Sequence, residues 1–273
     1  MTYFQAVFLG VLQGITEFFP VSSSGHLVIV QKLFGIEENI LAFDIYLHLG
    51  TLFAVFAVFR TSILTLVRSF VRSIRAVITH RISIQHVYRD SQEARIIAAI
   101  MFGTIPAVIV GFTMKDFIES LFHNPKLVLF SLLFTGLLLI ATFFIRQRNN
   151  RIGVANGIFI GLAQALAILP GVSRSGMTIS AALFLGVKRE NAGEFSFLLS
   201  IPVILGATLL EFKDSYEAGY SMLSWDIALL GVAASFLSGW LSLVFLMRIV
   251  RHGKIGYFGI YCIAIALVGF FLF

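Results

Sequence analysis

Pro20-Val21-Ser22-Ser23-Ser24-Gly25-His26 and Pro170-Gly171-Val172-Ser173-Arg174-Ser175-Gly176 are the stretches from which the fold of this chain can be read. The serine phrases that begin at Ser22 and Ser173 lie 151 residues apart, and each has a glutamine twelve residues before its glycine, Gln13 for Gly25 and Gln164 for Gly176. Gly10 and Gly161 match at the same offset. Each phrase interrupts an apolar stretch with a proline and a run of hydroxyls. Irregular backbone at membrane depth is tolerated only where protein buries it or where it lines a cavity. Two such breaks in corresponding positions point to one site built from both halves.

Composition sets the class. The chain is 58% hydrophobic and 12% charged, with a mean hydropathy of +0.94; a soluble domain is about 25% charged. This is the composition of a polytopic membrane protein. The net charge of +6 does not imply nucleic acid, because the basic residues fall in loops, where they set topology. The N-terminus has no basic n-region, so no cleaved signal peptide is expected. The single cysteine, Cys262, excludes an intrachain disulfide framework and most cysteine-ligated metal sites.

Six stretches are long enough to cross about 30 Å as helices: roughly 40–60, 94–113, 127–146, 192–212, 225–248 and 255–273. Regions 3–35 and 153–187 are apolar but broken, at Pro20 to Gly25 and Pro170 to Gly176. The pieces after the breaks, Leu27 to Gly35 and Met177 to Val187, cover only half a bilayer at about 1.5 Å per residue. Each region therefore reads as a re-entrant hairpin that enters and leaves on one side. The order is hairpin, span, span, span, twice. Three spans per half is odd, so the second half must be inverted, and the hairpin tips can meet near the midplane. The expected fold is an all-α polytopic membrane protein, six transmembrane helices plus two re-entrant helix hairpins in an inverted-topology repeat. It forms a single domain over 1–273, with halves of about 1–146 and 147–273.

Charge gives an orientation. Fifteen of the twenty Lys and Arg lie on one side: Arg60, Arg68, Arg72, Arg75, Arg81, Arg89, Arg95, Arg146, Arg148, Arg151, Lys188, Arg189, Arg248, Arg251 and Lys254. The opposite loops hold Lys115, Lys126 and Lys213 beside Asp116, Glu119, Asp214 and Glu217. The basic side is expected to be cytoplasmic, which turns both termini outward and brings the first hairpin in from outside. Segment 61–93 is the only long loop. Its arginines at 68, 72 and 75, with apolar residues between, suit an amphipathic helix on the inner surface; a plain basic topology loop is the alternative.

The chemistry concentrates at the breaks. Gln13 and Glu17, four apart, share a helix face, and a carboxylate in an apolar helix is a functional-site candidate; a structural hydrogen bond to a neighbouring helix is the plain alternative. Pro20 discourages continuation of the helix. Ser24 or Ser23 can cap the next half-helix, and Gly25 permits close backbone approach. Free N–H groups there, with Ser22, Ser23 and Ser24 around them, form an anion pocket. His26 could exchange a proton with a phosphoester oxygen. In the second break Arg174 is charged at any relevant pH and can hold two phosphate oxygens; a structural pair with Glu17 is its plain reading. Ser173, Ser175, Gly176 and Thr178 add to the same pocket. Gly153, Gly157 and Gly161 recur every four residues, as tight helix packing requires. His48, in the first full span, is a candidate supporting residue. Asp44 and Glu194 sit near span starts, and Trp225 and Tyr257 read as interface anchors.

One acid, an imidazole, hydroxyls, an arginine and helix N-termini suit phosphoryl transfer. A divalent cation could bridge a diphosphate and Glu17, with Gln13 as a neutral ligand or orienting group. No Walker-type loop is present, so nucleotide use is not indicated. A transporter or flippase of anionic lipid is the rival class, since inverted repeats with broken helices are typical of transporters.

At these residues the sequence resembles the bacterial undecaprenyl-diphosphate phosphatases, also called bacitracin-resistance proteins. Their (E/Q)-x-x-x-E followed by P-x-S-S-x-G-H looks like Gln13 to His26, and their P-G-x-S-R-S-x-x-T looks like Pro170 to Thr178. The similarity extends to Phe195-Ser196-Phe197-Leu198-Leu199 and the order of spans; at position 13 the chain has Gln where many members have Glu. The resemblance implies hydrolysis of undecaprenyl diphosphate to undecaprenyl phosphate and inorganic phosphate. The product would recycle as lipid carrier for peptidoglycan synthesis, cell-wall biogenesis and cell shape. It further implies dependence on Mg2+ or Ca2+, bacitracin as a competitor for the polyprenyl diphosphate substrate, and a bacterial inner-membrane location with the site on the extracytoplasmic side. A homodimer is carried as an expectation. Ser23 as nucleophile, activated by His26 or Glu17, is the preferred chemistry; direct attack by His26 and water activated by Glu17 stay open.

Overall fold

The computed structural model describes residues 1–36, 40–79, 83–121, 124–145, 151–217 and 224–272. Its helices are α1 (Tyr3–Phe18), α2 (Ser23–Leu33), α3 (Ile40–Val58), α4 (Arg60–Ile78), α5 (Ile84–Asp90), α6 (Gln92–Thr113), α7 (Lys115–Leu121), α8 (Pro125–Ala141, followed by a 3-10 turn, Thr142–Phe144), α9 (Val154–Leu166), α10 (Arg174–Phe184), α11 (Arg189–Glu217), α12 (Trp225–Arg251) and α13 (Tyr257–Leu272). Arg81, Arg146 and Arg148 of the basic loops, and Phe273 at the end of the last expected span, lie outside the described residues.

Both broken regions are helix–break–helix units, α1–α2 and α9–α10. Pro20 explains the first break. The residue before a proline is pushed towards extended backbone, and Phe19 takes φ −62, ψ 138. Ser22 then adopts φ 68, the only positive φ outside glycine among the described residues. In the second break Gly171 turns the chain at φ +86, and a Cβ there would lie 2.4 Å from the Val128 carbonyl oxygen. Only glycine satisfies both demands.

A helix occupies each of the six expected spans. Among the described residues four of them are long and apolar enough to cross a bilayer: Gln92–Thr113, Lys126–Phe144, Arg189–Leu210 and Trp225–Arg251. α3, an apolar helix of 19 residues, is bent by 78° from α4, and α13 is an apolar helix of 16 residues. Segment 61–93, read from sequence as a loop or an amphipathic helix, contains α4 and α5.

Two long-range helix pairs dominate the packing. α1 packs most extensively on α12, and α9 does the same on α6. Small residues make both contacts possible. A Cβ at Gly14 would lie 2.0 Å from Ser238 Oγ, and one at Gly10 2.7 Å from the Gly231 carbonyl oxygen. In the matching pair, a Cβ at Gly157 would lie 2.4 Å from the Ala99 carbonyl oxygen and one at Gly161 2.0 Å from that of Gly103. Lipid tails are as apolar as leucine, so close backbone approach rather than hydrophobicity drives such pairs together. Gly161→Val is therefore expected to destabilise the protein by about 3 kcal/mol or more through overpacking. Gly111→Val, with open space around its Cβ position, should leave the melting temperature of the purified protein unchanged.

The largest buried cluster joins Phe18 of α1, Phe59 after α3, Phe195, Phe197 and Leu199 of α11, and Leu243 and Leu246 of α12. Phe197 meets the Phe18 ring edge-on at 5.6 Å. This cluster fixes the C-terminal end of α1, where Glu17 sits.

Candidate functional site

The two breaks touch. A Cβ at Gly176 would come within 3.2 Å of Pro20 Cβ, so the start of α10 lies against the end of α1. From there Arg174, the first residue of α10, forms a hydrogen-bonded ion pair through Nη2 with Glu17 Oε1. The other carboxylate oxygen is also occupied. Glu17 Oε2 accepts from Ser23 Oγ at 2.7 Å and from Gln13 Nε2 at 3.2 Å, and His48 Nε2 stands 4.0 Å away. The Glu17 side chain is 6% exposed and that of Arg174 19%. A carboxylate so deep is stable only because it is paired and hydrogen-bonded.

Around this pair lies a cavity of about 230 Å³. Its polar wall is Thr16, Glu17, Ser22, Ser23, Ser24, His48, Ser173, Arg174 and Thr208; its apolar wall is Ala167, Ile168, Val172, Val203, Ile204 and Ala207. The apolar wall comes from the second break and from α11 just beyond Pro202.

The start of α2 differs from the sequence expectation. Ser22, not Ser23 or Ser24, is the cap residue, and it makes no side-chain cap bond; its Oγ lies 3.4 Å from Ser24 Oγ. Ser23 and Ser24 are already in the first turn, which directs Ser23 back at Glu17 on the preceding helix. The first-turn amides of α2 are left without a side-chain acceptor and can meet an anion. α10 is capped conventionally, with Ser173 Oγ accepting from the Gly176 N–H at 3.2 Å. The Ser173 N–H in turn donates to Thr135 Oγ1 on α8 at 3.2 Å.

The sequence candidates therefore divide. Gln13, Glu17, Ser22, Ser23, Ser24, Ser173 and Arg174 come together. Ser175 is buried, with its Oγ 3.3 Å from Ser173 Oγ. Thr178 bonds to the Arg174 carbonyl at 2.8 Å and to Ser196, so these two hold the start of α10 rather than line the cavity. A Cβ at Gly25 would make ordinary contacts, 3.5 Å from Ser22 Oγ, so close approach by protein is not what calls for glycine there. His26 is turned away. Its Nδ1–H donates to the Ser22 carbonyl at 2.8 Å and its Nε2 meets the Tyr261 hydroxyl at 2.9 Å. The imidazole in the cavity belongs to His48, whose Nδ1–H donates to the Asp44 carbonyl at 2.8 Å and leaves Nε2 towards Glu17. His48 was under-read from sequence, and Thr16 and Thr208 were missed. Asp44 and His48 at spacing four was the available signal.

Glu17 and Gln13 can be tested as cation ligands. Gln13 is fully buried and its Oε1 has no hydrogen-bond partner among the described residues, which fits an acceptor for a cation or a water. Among the described residues no group of three or more His, Cys, Asp or Glu comes together. Two protein oxygens fall short of the six to eight that Ca2+ takes, so Mg2+ or Ca2+ fits here only with oxygens brought by a ligand.

One fixed cation, a serine hydrogen-bonded to a carboxylate, uncapped helix amides and an apolar side wall suit an anionic phosphate on an apolar tail. Residues 6–268 match the family model described as bacitracin resistance protein BacA. A protein named undecaprenyl-diphosphatase from Desulforapulum autotrophicum is 41% identical over 271 residues, 98% of this chain and 97% of the relative. Another of that name from Desulfatibacillum aliphaticivorans is 44% identical over 265 residues, 96% and 95%; one from Carboxydothermus hydrogenoformans is 40% identical over 268, 96% and 94%. Both broken-helix phrases fall inside the matched region, and the chain belongs to the bacitracin resistance protein BacA family.

Proposed function

We propose that this protein is a membrane undecaprenyl-diphosphate phosphatase that returns the lipid carrier to peptidoglycan synthesis, and that Arg174 and Ser23 meet the terminal phosphate. The observation that carries this reading is the Arg174–Glu17–Ser23 chain across the two breaks. The named relatives support the substrate. The bilayer supplies the polyprenyl tail, which would lie along Val203, Ile204 and Ala207. The inverted relation of the halves belongs to the same proposal, supported by span parity and loop charge; an extracytoplasmic opening belongs to it as what the family resemblance implies. Competition by bacitracin for the substrate is part of the same proposal, and so is a homodimer.

In the free protein Arg174 neutralises Glu17. The incoming diphosphate offers it a better-matched fork of oxygens. As the guanidinium turns to phosphate, Glu17 is freed to accept the Ser23 proton. Ser23 Oγ then bonds to the terminal phosphorus, the anhydride P–O bond breaks, and the polyprenyl monophosphate leaves with the electron pair. Water next cleaves the serine–phosphate bond and releases inorganic phosphate. The α2 amides and Arg174 stabilise the equatorial oxygens. A Mg2+ or Ca2+ ion held by Gln13, Glu17 and the diphosphate would neutralise charge on the leaving group.

Rapid quench with substrate labelled in the terminal phosphate tests this. Label is expected on the protein within the first turnover, on Ser23 by peptide mapping. Phosphate release without any protein-bound label would move the attack to water, and label on His26 would move it to that ring. No phosphate release at all from purified protein, with or without divalent cation, would favour the transporter class.

A further inference from the structure

α4 carries a core side, an apolar side and a basic side. At about 100° per residue, Ile63 and Leu66 lie at one edge of the apolar side and pack against the core. Leu64, Val67, Phe70, Val71, Ile74 and Ile78 form a second stripe, each between 41% and 70% exposed. Arg68, Arg72 and Arg75 form a third, roughly 100° round from the apolar one. The helix has no buried residue and no acidic one. Among the described residues none of the three arginines makes an ion pair within 4.0 Å; Arg72 alone feels a carboxylate, that of Glu93 at the start of α6.

The 78° bend from α3 turns α4 out of the direction of its span, and α4 packs chiefly on α6. A helix so turned, with one side on protein, can lay its apolar stripe among acyl chains only if its third face looks to the headgroups. That face carries the three arginines, with Thr61 and Thr65 beside them and no carboxylate. We propose that α4 is a docking surface for anionic glycerophospholipid headgroups of the surrounding bilayer, with Arg68 and Arg75 as the principal phosphate contacts. Charge complementarity selects anionic over zwitterionic lipid, and the exposed apolar stripe beside the arginines selects a bilayer over a soluble acidic partner.

The full chain, reconstituted in phosphatidylcholine bilayers with trace spin-labelled lipid, provides the test. Spin-labelled phosphatidylglycerol is expected to be motionally restricted by the protein about fivefold more than spin-labelled phosphatidylcholine at low salt, with the ratio falling as salt rises. The variant Arg68→Gln/Arg72→Gln/Arg75→Gln should bring the ratio close to one, and the corresponding Lys variant should keep most of it. Should the Gln variant fail to fold, the salt titration of the unaltered protein decides alone. A ratio near one, or one insensitive to salt, overturns the proposal. So does a ratio unchanged in a folded Gln variant, which would leave these arginines to another class of partner. None of these outcomes depends on the phosphatase reading.

Discussion

Arg174→Ala is expected to lower phosphate release from a polyprenyl diphosphate by about 10³-fold or more, the range seen when a cation that meets transferring phosphate is removed. The geometry makes this a clean prediction only if folding is measured beside it. Arg174 also neutralises a carboxylate that is 6% exposed, and breaking a buried pair from one side costs about 3–5 kcal/mol because the remaining charge is stranded. A plain loss of activity in Arg174→Ala would thus be ambiguous. The double variant Arg174→Ala/Glu17→Gln removes the stranded charge. Its melting temperature is expected to recover towards that of the unaltered protein while its turnover stays lost. Arg174→Lys should hold the fold better than Ala and regain little activity, because a point charge cannot match the planar fork. Turnover within tenfold of the unaltered protein in a folded Arg174→Ala would remove Arg174 from the site.

From sequence this arginine reads as a phosphate contact, with a pair to Glu17 as the plain alternative, and in the free protein that pair is formed. A charge in a hairpin that should reach the midplane needs an opposite one, and Glu17 is the evident carboxylate beside a break. Both breaks were legible because proline, hydroxyls and glycine interrupt apolar sequence at matched offsets, and Phe19, Ser22 and Gly171 have the backbone those residues impose. The glycines at 157 and 161 were read as packing residues and are; their partners Ala99 and Gly103 were not foreseeable, because nothing local says which helix will approach.

The two histidines show where sequence stops. His26 stands beside three serines and invites a catalytic reading. Its ring direction is decided by the Ser22 carbonyl and by Tyr261, 235 residues away on α13. His48 stands among leucines and reads as support, yet the packing of α3 against α1 and α11 brings its Nε2 to the cavity. The cap of α2 moved for a related reason. Any of three serines could start that helix on propensity alone, and Ser22 does so at a φ that serine rarely adopts. An energetically costly backbone of this kind persists only where surrounding structure over-determines it, and here it is what returns Ser23 to Glu17.

That return makes the second large prediction. Ser23→Ala and Glu17→Gln are each expected to lower kcat by about 10³-fold or more, and the double variant to lose no more than the worse single one, since residues acting as one unit are strongly non-additive. The reason is the 2.7 Å bond from Ser23 Oγ to Glu17 Oε2. If serine attacks, the carboxylate accepts its proton, and without the serine the carboxylate has no proton to accept. If instead Glu17 activates water, Ser23→Ala should cost far less than Glu17→Gln, and the losses should approach additivity. Stability separates the two variants as well. Ser23→Ala removes one neutral donor from a carboxylate that keeps Arg174 and Gln13, a change of about 1 kcal/mol. Glu17→Gln sets an amide against three donors and leaves Arg174 without its partner, so it should lower the melting temperature more. Equal stability losses with multiplicative rate losses would mean that Ser23 and Glu17 act separately, and the serine would then be no more than a phosphate contact.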